Sequence, residues 1–128
     1  MANLDRRKLG AIALGGAAGA LLRVWLGEAF PGGAPDWPWV TFAINLSGSF
    51  ALGYIATLLG RSPRSAYGLA LLGTGFCGAY TTFSTMQLEV LTIADHGRYG
   101  LAVAYALASI TAGYAAVWLA GALARGTA

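Results

Sequence analysis

An all-α membrane protein with four crossing helices is the fold class this sequence predicts, on three observations. The chain has 128 residues, a length that suits one domain. It is 57% hydrophobic and 10% charged, with a mean hydropathy of +0.62. A water-facing domain carries about 25% charged residues to keep its surface hydrated. The apolar residues also gather in four long runs, each near the ~20 residues that cross a hydrocarbon core. The same arithmetic excludes other classes. A net charge of +3 forms no basic face, so nucleic acid is not an expected partner. The single cysteine, Cys77, excludes an intrachain disulfide framework and a multi-cysteine metal site. A transmembrane barrel would need alternating polarity, which these continuous runs lack.

The first run spans about residues 9–29. Arg6-Arg7-Lys8 before it could pass for an export signal, but such a signal precedes a soluble cargo and three more spans follow here. The first span is therefore expected in the mature protein. The second covers residues 39–59, the third about 67–93 and the fourth about 101–124, all within one domain of residues 1–128. Helix-breaking segments separate them: Pro31-Gly32-Gly33-Ala34-Pro35-Asp36, then Arg61-Ser62-Pro63-Arg64, then Asp95-His96-Gly97-Arg98. Connections this short make neighbouring helices antiparallel, an up-down four-helix bundle. Trp37, Trp39 and Tyr99 flank spans, where amphipathic rings suit the headgroup region. Both termini and the second loop share one side, which holds Arg6, Arg7, Lys8, Arg61, Arg64 and Arg125, six of the eight basic residues. The positive-inside rule puts that side in the cytoplasm.

Polar side chains are costly in hydrocarbon, so those kept inside a span face protein or a water-filled path. In the second span Thr41, Asn45, Ser49 and Gly53 fall on one helical face at four-residue spacing, and Tyr105, Ser109 and Gly113 do so in the fourth. Close packing explains Ser49, Gly53 and Gly113 well. Asn45 reads equally as packing or path, since a mid-membrane carboxamide needs several partners. The third span holds Gly73-Thr74-Gly75-Phe76-Cys77-Gly78-Ala79-Tyr80-Thr81-Thr82-Phe83-Ser84-Thr85, whose glycines and threonines disfavour an uninterrupted helix. A break at that depth survives only against protein or a polar cavity, and its released carbonyls suit a small hard cation. The alternative is a continuous helix with hydroxyls bonded back to preceding carbonyls. Gly73, Gly75 and Gly78 also spell a G-x-G-x-x-G, which is meaningless without a strand-to-helix turn. Arg23 reads either as an interface-seeking side chain or as a draw for an anion at a vestibule. Glu89 reads as a structural partner, and His96 is given no role.

Together these residues resemble the small fluoride channels of the Fluc (CrcB) family. The resemblance rests on Gly15-Gly16-x-x-Gly19-Ala20-x-x-Arg23 and Asn45-Leu46-x-Gly48-Ser49-Phe50-x-x-Gly53. It continues in Gly75-Phe76-x-Gly78-x-x-Thr81-Thr82-Phe83-Ser84-Thr85 and Tyr105-x-x-x-Ser109. It implies an antiparallel, dual-topology homodimer with fluoride pores and a structural sodium ion at its centre. By that resemblance Gly78 and Thr81 match the backbone-carbonyl positions that hold sodium, and Asn45 matches the pore asparagine. Phe83 matches the first of two path-lining phenylalanines. Ser84, Thr41, Tyr105 and Ser109 match positions along the route, and Arg23 matches the vestibule arginine. The second phenylalanine is Met86 here, and the serine that commonly follows it is Gln87. The expected function is passive, selective fluoride export through a multi-pass protein of the cell (inner) membrane, with no enzyme activity. The one-sided charge also admits a hetero-pair of oppositely oriented chains. A small proton-coupled exporter is the alternative transporter, but it needs a carboxylate deep in the bilayer, and the first span has none. A silent structural subunit is the third reading.

Overall fold

The computed structural model describes residues 5–127, with no strand among them. Three crossings are single helices: α1 (Arg6–Ala29), α2 (Trp39–Leu59) and α6 (Tyr99–Gly126), each long and apolar enough to span a bilayer. The third crossing is assembled from α3 (Ala66–Gly68), a π-helix π1 (Leu69–Cys77), α4 (Gly78–Tyr80) and α5 (Phe83–Asp95).

Local chemistry sets the ends. Asp5 caps α1 by accepting the Arg7 and Lys8 N–H groups at 3.0 and 3.4 Å, which starts the helix ahead of the apolar run. Its other carboxylate oxygen accepts the Tyr67 hydroxyl at 3.0 Å, tying the start of α1 to the start of the third crossing. After α1, Gly32 and Gly33 take φ of +128° and +125°, backbone that a side chain would strain. Ser62 accepts the Arg64 N–H at 3.3 Å, opening a 3₁₀ turn at Pro63–Ser65.

α2 lies along α6, and α1 lies along π1. The second contact is backbone on backbone. A Cβ at Gly15 would collide with the Leu71 carbonyl oxygen, and one at Gly19 with the Phe76 carbonyl oxygen. Gly53 has the packing role expected of it, since a Cβ there would sit 2.7 Å from the Val117 carbonyl oxygen. Small residues let helices approach this closely where no water drives them together. Gly15→Ala is therefore expected to lower stability by about 1–3 kcal/mol or more through overpacking. Gly10→Ala, where a methyl meets open space, is the matched control. Equal thermal midpoints for the two variants would remove this account of the α1–π1 contact.

The glycine-rich stretch behaves differently from a simple breaker. Gly73 and Gly75 stay helical inside π1, and Gly75 is needed for closeness: a Cβ there would lie 2.7 Å from the Ile12 carbonyl oxygen. The chain leaves helical geometry only at Thr81 (φ −77°, ψ 153°) and Thr82 (φ −145°, ψ 120°). Trp37 also departs from expectation. Trp39 and Tyr99 are each 68% exposed, as interface rings would be. Trp37 instead folds inward, edge-on to Tyr105 at 5.3 Å and 79° and to Phe42 at 5.6 Å and 71°. It covers a core of Met86, Ile93, Ala102 and Tyr105.

Candidate functional site

The break at Thr81–Thr82 is held by a side chain from another helix. Asn45 on α2 donates from Nδ2 to the Thr82 carbonyl at 2.8 Å and accepts the Thr82 N–H on Oδ1 at 2.7 Å. The carboxamide thus replaces both main-chain partners that Thr82 gives up by leaving the helix. The consequence falls four residues back. In an unbroken helix the Thr82 N–H would bond the Gly78 carbonyl, and the Thr85 N–H would bond the Thr81 carbonyl. Thr82 now donates to Asn45, and Thr85 donates to the Thr82 hydroxyl at 3.2 Å, which caps α5. The Gly78 and Thr81 carbonyls are thereby released. Between them the Ala79 carbonyl is taken by Arg23 Nε at 3.0 Å. Gly48, one turn from Asn45, leaves room for this arrangement, because a Cβ there would collide with the Thr81 methyl.

Beside the break lies a cavity of about 220 Å³ lined by Asn45, Ser49, Thr81, Thr82, Phe83, Met86, Ser109 and Ile110. None of these side chains is charged. The Ser109 hydroxyl is buried and has no hydrogen-bond partner among the described residues. A second cavity of about 260 Å³ is polar and contains charge: Arg23, Glu89, Thr41, Thr82 and Thr85 are on its walls. There Glu89 accepts the Thr41 hydroxyl and the Tyr105 hydroxyl, each at 2.6 Å. Both carboxylate oxygens are occupied by neutral donors, which leaves Glu89 in a fixed structural position.

The family model described as "CrcB-like protein, Camphor Resistance (CrcB)" matches residues 10–122. The chain belongs to the CrcB family. A relative named fluoride-specific ion channel FluC 1, from Mycolicibacterium paratuberculosis, is 52% identical over 126 residues, covering 98% of this chain and 96% of that one. A protein of the same name from Mycobacterium tuberculosis is 50% identical over the same coverage. A fluoride-specific ion channel FluC from Acidobacterium capsulatum is 47% identical over 116 residues, 84% of this chain and 88% of the other. With its apolar crossings, this CrcB chain is a multi-pass membrane protein.

The CrcB chain gathers some of the residues singled out from sequence and separates others. Asn45, Phe83, Met86 and Ser109 meet around the smaller cavity, joined by Thr81. Tyr105 does not reach it. It is fully buried, packed on Trp37 and committed to Glu89. Thr41 and Arg23 belong to the charged cavity, and Arg23 donates from Nε to the Ala79 carbonyl. Ser84 is exposed, its hydroxyl 3.5 Å from that of Thr82. Gly78 is exposed within the single chain, with open space where a Cβ would stand. Ser49 has the packing place expected of it, its hydroxyl 3.7 Å from where a Cβ on Gly113 would stand, and it also lines the cavity with Asn45. The signal was its place one turn beyond Asn45 on the same face.

Proposed function

We propose that this chain forms a fluoride-selective channel through which fluoride leaves the cell passively, without enzymatic chemistry. The observation that carries the reading is the small cavity at the helix break, walled by neutral donors. Fluoride is small and strongly hydrated, so a narrow path admits it only where other donors replace its water. The buried Ser109 hydroxyl on its wall supplies one. Asn45 supplies another, since only one of its two Nδ2 hydrogens is engaged by Thr82. The positive edge of the Phe83 ring adds weak stabilisation. With no cation on its walls the cavity does not trap the ion, and conduction requires binding weak enough to release. The names of the relatives support the same reading. Liposomes containing only this purified protein are expected to release fluoride and retain chloride. Equal release of both anions would sink the selectivity, and release of neither would favour a silent subunit.

The second part of the proposal concerns assembly. The released carbonyls of Gly78 and Thr81 suit a hard cation such as sodium, and the exposure of Gly78 suits a site completed by a second copy in an antiparallel dimer. Sodium there would neutralise carbonyl dipoles left without donors. Replacing sodium by choline is expected to lower the thermal midpoint of the assembled protein, and an unchanged midpoint would remove the cation. Cysteine accessibility at the loop residue His96 (His96→Cys) is expected to report both orientations. A single orientation would exclude the homodimer and favour the hetero-pair suggested by the one-sided charge.

A further inference from the structure

The net charge of +3 conceals two unlike ends. At one end the Asp5–Tyr67 hydrogen bond brings the start of α1 against the start of α3. Arg61 and Arg64 lie in the connection that leads into α3. At the end of α6, Gly121 lies beside both the Arg125 guanidinium and the Thr57 hydroxyl near the end of α2, each about 3.4 Å or less from where its Cβ would be. Three segments thus bring Arg6, Arg7, Lys8, Arg61, Arg64 and Arg125 to one end of the bundle, every one of them exposed. Among the described residues none of the six makes an ion pair, and the ion pair present, Arg98–Asp36 at 2.7 Å, lies at the opposite end. The acid at the basic end, Asp5, is spent on the α1 cap and on Tyr67.

We infer that this six-cation end is a docking surface for anionic phospholipid headgroups. The cations sit just beyond or at the ends of apolar crossings, where long side chains can place their charge among lipid headgroups. Cations held by several rigid segments grip one headgroup layer together, which a soluble phosphate could not exploit. A Lys or Arg near an anionic membrane surface contributes enough to change binding roughly fivefold. The reading stands apart from what the channel conducts.

The test uses the full chain in a neutral detergent, titrated with dioctanoyl phosphatidylglycerol, with dioctanoyl phosphatidylcholine, and with inorganic phosphate, while the thermal midpoint is followed. A ligand that binds only the folded state raises that midpoint with concentration. Phosphatidylglycerol is expected to raise it, and the other two are not. The double variant Arg61→Gln with Arg64→Gln is expected to weaken the effect roughly fivefold per cation removed, while Arg98→Gln, at the other end, keeps it. Equal stabilisation by phosphatidylcholine, full stabilisation by phosphate alone, or an undiminished effect in the double variant would each overturn the inference. If the double variant does not fold, the three wild-type titrations decide by themselves.

Discussion

Asn45→Asp is expected to cut fluoride flux by about two orders of magnitude and to weaken the fold at the same time. The carboxylate keeps the acceptor for the Thr82 N–H but loses the donor that meets the Thr82 carbonyl at 2.8 Å. An oxygen then faces an oxygen across a hydrogen-bond distance, which costs about 1–3 kcal/mol. The free Nδ2 hydrogen offered to an anion disappears as well, and a negative charge repels what remains. About 3 kcal/mol added to a permeation barrier is roughly a hundredfold in rate. Flux from liposomes and the thermal midpoint should therefore fall together. A mutant that keeps wild-type flux would take Asn45 out of the path. One that loses flux with an unchanged midpoint would show that the Thr82 clamp contributes nothing to stability.

Phe83→Met is expected to lower fluoride throughput about tenfold while leaving stability nearly untouched. Phe83 is 64% exposed in the single chain and borders the cavity, so little intrachain packing is lost. What disappears is the aromatic edge, worth about 0.5–1.5 kcal/mol. The reciprocal change is expected to behave oppositely. Met86 is 6% exposed and wedged among Ile93, Ala102 and Tyr105, so Met86→Phe overpacks that core by about 1–3 kcal/mol. Its thermal midpoint should fall while its flux stays near that of the native chain, because position 86 acts as a wall. Single-channel recording of both variants separates the two roles. A large gain in flux from Met86→Phe, or an unaffected Phe83→Met, would reverse the assignment.

Much of the architecture is legible in the sequence. Four apolar runs divided by Gly-, Pro- and charge-bearing connections were enough for four crossings, because hydropathy is a local property of each segment. The cost of polar groups in hydrocarbon drew attention to Asn45, Ser109 and the Gly73–Thr85 stretch for the same reason. The helix break was expected there, but its place was not. Gly73 and Gly75, the strongest local breakers, remain helical in π1, where Gly75 packs against the Ile12 backbone of α1 and Gly73 against the Leu69 and Leu52 side chains. Thr81 and Thr82 leave the helix because Asn45, 37 residues earlier than Thr82, supplies the hydrogen bonds that the helix would have supplied.

Local pattern along the chain marks which segments are apolar enough to cross a membrane, which end is basic and which polar side chains need a partner. Which partner each one has depends on how distant helices pack. Trp37 folds onto Tyr105 instead of the interface, Tyr105 and Thr41 close on Glu89, Arg23 turns to the Ala79 carbonyl, and Ser49 joins Asn45 at the cavity. The physical reason is one of range. Propensity and hydropathy add up over neighbours along the chain. A hydrogen bond is decided within about 3 Å, between groups that only the packing of distant helices brings together.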